Sequence, residues 1–414
     1  MPNQSNQDKP ALTVDEARSA ILNLIEPTTN TETVSLCEAP GRIAATDIHA
    51  QHDIPMFRNS AMDGYAIRHK DAIAGAKFRI IGSSLAGHPY TDPLAEGEAV
   101  KITTGAQTPV NADAIVIQEL TELNGDFFTT SATIKHNRYI RNPGDDISKG
   151  QPLLTANSRI NAADTGLLAA QGIDRVTVFS KPVVGVFSTG DELCQASESI
   201  QDGQIFESNC TTIRSLLKLA GIESVDLGIC RDDPDDIEKL MQSATGYDFI
   251  LSSGGVSVGV ADFVKETLER NGELLFWKVA MKPGKPMVTG KLSSGAFYFG
   301  LPGNPVSSMV TCVQFVIPAL QSFSGSEYQP PPTFQAKCLV ELKKEVGRFE
   351  FQRGRAALSE NGEMQVSTTG LQDSHVLSSM SQANCFICLD QFADGAAKGD
   401  KVSIVLFDSY HGLR

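Results

Sequence analysis

The sequence predicts a multidomain α/β protein. It has a parallel-sheet α/β/α domain, a β-rich domain inserted upstream, a small helical domain, and a β-rich C-terminal domain. Three observations carry this reading. At 414 residues the chain is too long for a single core, which points to roughly two to four domains. From Lys181 onward, segments rich in Val, Ile and Phe run through polar loops into helical patterns. Between about Ile48 and Gly150, short β-forming pieces are separated by Gly, Pro, Asn and Asp, as in an all-β domain.

The elements follow in order. "TVDEARSAILNLIE" predicts an amphipathic helix capped by Thr13, with Glu16 at the capping-box position. "FRIIGSS", "AVKITTG", "DAIVIQEL" and "DFFTTSATI" are the β-rich pieces, and "AADTGLLAAQGI" returns to helix. Each of these two helices is too short to bury a face alone, so both are expected in one domain that the β insertion interrupts. Next come strands in "PVVGVF", "SVDLGI", "DFILSS" and "AFYFG", each leading through a loop to a helix. Such a rhythm argues for a parallel sheet covered on both faces. After "GSEYQPPPTF" the chain ends in a β-rich segment, a small barrel or sandwich. The expected boundaries are 1–45 with 150–180 for the helical domain, 46–149 for the insertion, 181–328 for the parallel sheet, and 329–414 for the last domain.

Composition excludes several classes. The net charge of −14 disfavours general attraction to nucleic acid or anionic lipid. An acidic protein that handles a phosphorylated ligand must place its lysines locally or recruit a divalent cation. The polar N-terminus shows no secretory signal. No uninterrupted apolar run approaches the ~18 residues that cross a bilayer. The eight cysteines are scattered, as reduced core thiols are. The pair in "CFIC", Cys385 and Cys388, would face opposite sides of a strand. A cytoplasmic enzyme is expected.

In an open parallel sheet, ligands lie at the carboxyl ends of the strands. The loops there are "STGDEL", with Ser188, Thr189, Gly190 and Glu192; "CRDD", with Asp232; "SSGGVSVGVAD", with Ser253, Gly254, Gly255, Ser257 and Asp262; and "GLPGNP", with Pro302, Asn304 and Pro305. Good turn chemistry explains any one of them. Together they form a polar rim, and three lead into helix N-termini that favour an anion. Asn304 is placed to cap and Pro305 to occupy the first helical position.

Gly255-Val256-Ser257-Val258-Gly259 fits a hydrolase nucleophile elbow. A serine hydrolase also needs an acid and then a histidine downstream. After Ser257 the histidines are His375, in the final β-rich segment, and His411 near the C-terminus. The next helix is expected only from Ala261–Asp262. The loop therefore reads as a cradle.

In "FWKVAMKPGKPMVTG", an extended Trp277–Lys282 would point Lys278 and Lys282 to the same side, with Lys285 following a turn at Pro283-Gly284. Such amines suit a multiply charged anion, although solvated edge-strand lysines explain the stretch taken alone. In "MFRNSAMDGYAI", Asp63-Gly64 makes a turn amid Arg, Asn and Ser; "KITTGAQTP" adds Thr103, Thr104 and Gly105 as donors.

Taken in order, "NSAMDGYA", "TTGAQTP", "GVFSTGDEL", "SSGGVSVG", "KPGKP" and "GLPGNPVS" resemble the molybdopterin molybdenumtransferases. This is the MoeA type, which includes the E domain of gephyrin. The resemblance covers nearly the whole chain. It implies a homodimer of four-domain subunits whose parallel-sheet domain binds molybdopterin and whose last domain is a β-barrel. Each active site would be shared between that parallel-sheet domain and the partner's β insertion. The implied reaction cleaves adenylylated molybdopterin, inserts molybdate and releases AMP, with Mg²⁺ required. The upstream adenylyltransferase is a candidate partner; nucleic acid and membranes are not.

The resemblance places functional acids on Asp63, Asp146, Glu192, Asp232 and Asp262, and basic positions on Lys278 and Lys282 with Lys285 adjoining. Pro302 and Pro305 would hold the pocket loop, and Arg353 and Ser374 would face the substrate cleft. Catalysis would rest on Asp63, Glu192, Asp262, Lys278 and Lys282, with Mg²⁺ held by Glu192 and Asp262. The remaining rim residues and Thr104 would bind substrate. Val260 and Glu207 depart from the family pattern. Alternative readings are the related adenylyltransferase, a CinA-like nucleotide hydrolase, or a peptide-binding scaffold. The first two would not carry "NSAMDGYA", and a scaffold could lose the acids and lysines, which are intact here.

Overall fold

A computed structural model describes residues 11–254 and 272–410. The chain divides into two compact units, Thr33–Thr177 and Met1–Glu32 with Val178–Arg414.

The Thr33–Thr177 unit is built on a sheet ordered Ala114–Ile117, Gly64–Ile67, Glu98–Ile102, Lys77–Ser84, Phe127–Thr130, Thr121–Asn124. Side chains alternate across a strand, so Tyr65 and Ile67 join Phe78, Val116 and Phe128 on one face. Ala66 joins Val100, Ile102 and Ile115 on the other. The helix Ala162–Ala170 begins at Asn161, whose side chain accepts the amides of Ala163 and Asp164.

The other unit has three layers around a six-stranded sheet. Ser224–Cys230, Val184–Thr189, Phe249–Ser253 and Phe297–Leu301 run parallel in that order. Pro286–Leu292 and then Gly272–Lys278 extend the sheet antiparallel. The sheet is therefore mixed: the "KPGKP" turn folds the chain back on itself beside the parallel strands. Val184 and Val186 face one core with the helices Asn209–Leu219 and Pro305–Phe323. Phe187 and Ile250 face the other with Ile237 and Met241 of the helix Pro234–Gln242.

Pro305–Phe323 is long and apolar enough to cross a membrane by composition, but 78% of its most apolar window is buried inside the protein. It is a core helix. The first helix, Val14–Leu22, has the expected capping box between Thr13 and Glu16. Val14, Ala17 and Ile21 sink into the core that holds Phe315 and Ile317, which buries a face too short to be stable alone.

The C-terminal segment closes as a barrel of five strands: Phe349–Leu358, Met364–Thr368, Phe334–Cys338, Lys401–Leu406 and Cys385–Leu389, which pairs back onto the first. Phe351, Phe386 and Phe407 of this segment belong to the same core as the sheet's Val186 and Phe299. All eight cysteines are free. Cys385 lies among the barrel's interior residues and Cys388 against the other core. Burial pushes both thiols up to about 12, which suits inert core residues.

Candidate active site

The carboxyl ends of the parallel strands open on a cavity of about 560 Å³. Ser188, Thr189 and Glu192 line it from the first loop, Asp232 from the second, Ser253 and Gly254 from the third, and Pro302, Asn304 and Pro305 from the fourth. All four polar loops thus meet at one hollow. Gly255, Ser257, Val260 and Asp262 lie outside the described residues.

Close backbone approach sets the floor. Gly254 has φ of +93°, and a Cβ there would run into the Thr189 carbonyl oxygen. Asn209, at the first turn of its helix, then ties the loops together. Its amide donates to Ser253 Oγ at 2.9 Å and to the Gly303 carbonyl at 2.7 Å. Glu207 accepts from Ser188 Oγ at 2.8 Å and from the Cys210 amide at 2.6 Å. Its extra methylene relative to aspartate lets one carboxylate cap the helix and fix the strand end.

The electrostatics are acidic. Burial raises the Asp232 carboxyl above its ordinary range; the Thr189 hydroxyl partly offsets this, and the neighbouring charges of Asp191 and Glu192 add to it. The buried Thr189 hydroxyl has no hydrogen-bond partner among the described residues. It faces Asp232 without reaching bonding geometry. Carboxylate oxygens from neighbouring loops at one cavity are the hard donors that a divalent cation such as Mg²⁺ takes.

The lysines separate. Lys278 ends its strand opposite Pro286, which lines the cavity; Lys278 and Lys285 are exposed. The chain breaks from the sheet after Lys278, and Met281–Lys282 pairs with Phe349–Glu350 of the barrel instead. Lys282 Nζ reaches Glu350 at 3.1 Å. Lys278 and Lys282 therefore do not share one extended strand: between them the Met281 amide turns back to the Val279 carbonyl at 2.8 Å and the Ala280 amide donates to the Leu12 carbonyl at 2.7 Å.

Arg353 does not face the cavity. It is 1% exposed, and burial lowers its guanidinium to about 10. Its nitrogens donate to Ser379 Oγ at 3.0 Å and to the Asp373 carbonyl at 3.1 Å. Arg353 thereby pins the 371–375 loop, whose Ser374 carbonyl accepts the Val306 amide at 3.1 Å. His375 lines the cavity. Its place in the final β-rich segment had put it far away in sequence, and only the fold brings it in. Ile205 and Phe206, half exposed, form an apolar wall that only a strand pairing with Leu193–Cys194 creates.

Asp63 and Thr104 lie in the Thr33–Thr177 unit and meet there. Thr104 donates to Asp63 Oδ1 through its amide at 2.7 Å and its hydroxyl at 2.9 Å. These bonds, the backbone one first, hold the Asp63 carboxyl below the usual range. Asp146 is exposed in the same unit, its amide donating to the Ile54 carbonyl at 3.0 Å.

Polar loops, an apolar wall and flanking amines at the carboxyl edge of a parallel sheet define an α/β protein built to bind a charged ligand there. Comparisons with known proteins narrow the class. Residues 12–172 match the MoeA N-terminal region (domains I and II), 185–322 the probable molybdopterin binding domain, and 335–407 the MoeA C-terminal region (domain IV). The chain is 41% identical to the molybdopterin molybdenumtransferase of Haemophilus influenzae, over 97% of this chain and 100% of that protein. It is 34% identical to gephyrin of Dictyostelium discoideum, over 95% of this chain and 62% of that one. A crystal structure of the molybdopterin biosynthesis MoeA protein from Pyrococcus horikoshii superposes with a TM-score of 0.81 at 29% identity, covering 96% of this chain and 100% of that one. The chain belongs to the molybdopterin molybdenumtransferase family, and it is an enzyme of molybdenum cofactor biosynthesis.

Proposed function

We propose that this enzyme cleaves adenylylated molybdopterin, inserts molybdate into the dithiolene and releases AMP. The observation that carries the reading is the convergence of four strand-end loops on one cavity of about 560 Å³. A flat pterin packs against Ile205 and Phe206, while Asn304, exposed and free of a capping bond, offers its amide to the ligand. Exposed Lys278 and Lys285 neutralise the approaching phosphates and molybdate, whereas Lys282 stays tied to Glu350. His375 and the Thr189 hydroxyl supply further polar contacts.

Glu192 and Asp262 would hold Mg²⁺, with Asp232 nearby. Bound there, Mg²⁺ supplies charge neutralisation of the phosphoanhydride. The protein's part is orientation: the glycine-lined floor sets the phosphates close to backbone amides, and Asn209 keeps the loops in register. Asp63, its charge stabilised by two bonds from Thr104, would enter from the partner of a homodimer. The proposed domains are the β insertion at 46–149, the parallel-sheet domain at 181–328 and the barrel at 329–414. Residues 33–45 with 150–177 make a fourth, and the first helix packs with the sheet. The enzyme would act in the cytoplasm.

The test is to incubate the protein with adenylylated molybdopterin, molybdate and Mg²⁺ and to measure AMP. Release that requires all three is the expected result. No AMP above a protein-free control would sink the proposal.

A further inference from the structure

We propose that the Thr33–Thr177 unit carries a binding site for a first-row divalent cation, of the Zn²⁺ type, formed by His69, Asp113 and His136. One ligand atom from each side chain lies within 4.8 Å of the others, and this is the group of that kind among the described residues. His69 Nδ1 stands 2.6 Å from Asp113 Oδ2, and His136 Nε2 stands 3.9 Å from the same oxygen.

The site is built rather than accidental. The His69 backbone amide donates to Asp113 Oδ1, which turns the second carboxylate oxygen toward both imidazoles. The Asn137 amide donates to the Asp113 carbonyl at 2.7 Å, drawing the segment that carries His136 over the same residue. An outer bond that orients a ligating carboxylate is the usual support of a metal ligand. The two rings meet edge to face with centroids 4.9 Å apart.

Two imidazole nitrogens and one carboxylate oxygen are borderline donors. They suit Zn²⁺ and its neighbours, whereas Mg²⁺ takes oxygen. Zn²⁺ bonds of about 2.0–2.1 Å at tetrahedral angles separate ligand atoms by about 3.3 Å. The contacts of 2.6 and 3.9 Å straddle that value, and all three ligand atoms lie within 4.8 Å of one another, so side-chain shifts of about 1 Å complete the set. The His136 side chain is 58% exposed, which gives an entry path and leaves a fourth position for water.

The site is separate from the proposed active-site residues of this unit. Gly64–Ile67 pairs with Ala114–Ile117; Asp63 sits at one end of the pair and His69 with Asp113 at the other. The four-residue strand between them, at about 3.4 Å a residue, sets Asp63 and His69 well over about 10 Å apart. The inference does not depend on the reaction proposed above.

The test uses full-length protein stripped with EDTA and titrated calorimetrically with Zn²⁺ in excess Mg²⁺, with Co²⁺ absorption in parallel. One site per chain is expected, without a thiolate charge-transfer band. Two variants should each weaken it at least about tenfold: His136→Ala, at an exposed position, and the near-isosteric Asp113→Asn. AMP release by His136→Ala should match the parent. No stoichiometric binding, a thiolate band, or weakening below tenfold in either variant would overturn the proposal. A His69–Asp113 hydrogen bond with no metal role would give the first of these results.

Discussion

Two carboxylates, one in each unit, have their acidity shifted in opposite directions. Asp63 is exposed, yet two bonds from Thr104 stabilise its charge and lower its pKa. Asp232 is raised by burial and by Asp191 and Glu192. The first group is ready to act as an anion without help. The second holds its charge less readily, and a nearby cation would ease it. One sequence thus places a stabilised carboxylate in one unit and a destabilised one in the other.

The sharpest way to break the comparison is Glu192→Gln. If the crowded acids exist to hold a cation, losing one should cut AMP release about a hundredfold, roughly 2.7 kcal/mol of transition-state stabilisation, with partial rescue by high Mg²⁺. Parent-like kinetics at low Mg²⁺ would remove Glu192 from that role.

Thr104→Val probes the other side. The backbone bond to Asp63 remains and the hydroxyl bond is lost, so the pKa should rise part of the way back. A lowered folded pKa adds stability that is present above the unfolded value and fades as pH falls through the folded one. The variant should therefore lose activity at a higher pH on the acid side, by up to about tenfold at a fixed acidic pH. A pH–rate profile checks this, and an unmoved acid limb refutes it.

Asp232→Asn should relieve repulsion instead. A raised folded pKa means that stability falls as pH rises from the ordinary carboxylate range through the folded value. The metal-free variant should accordingly gain a solvent-screened amount within about 1 kcal/mol at neutral pH, and nothing well below pH 4. A denaturant melt that shows destabilisation at neutral pH would show that the acids are not crowded. Smallest is Ser188→Ala, expected to cost about 0.5–1 kcal/mol, because Glu207 keeps its bond to the Cys210 amide.

Local rules made much of this legible in sequence. Thr13 with Glu16 announced a helix start that needs no distant partner. Strand-then-loop punctuation placed the four rim loops, because the carboxyl edge of a parallel sheet gathers them wherever the strands sit. Long-range packing hid the rest. Arg353, expected at the substrate cleft, is instead buried where the 371–375 loop offers it carbonyls. His375 reaches the cavity only through the barrel, and Phe206 faces it only through a pairing no local pattern reveals. Lys282 leaves the strand of Lys278 for a pairing with Glu350, about 70 residues on in the chain, which no local pattern announces.

The core that runs without a break from Val186 through Phe299 to Phe351 and Phe407 means that the barrel is no detachable appendage. Cutting the chain after Phe323 would strip the sheet's outer helices of their apolar cover and remove the 371–375 loop that brings His375 to the cavity. Wear deep inside the barrel would surface, in effect, as a crooked wall at the catalytic hollow.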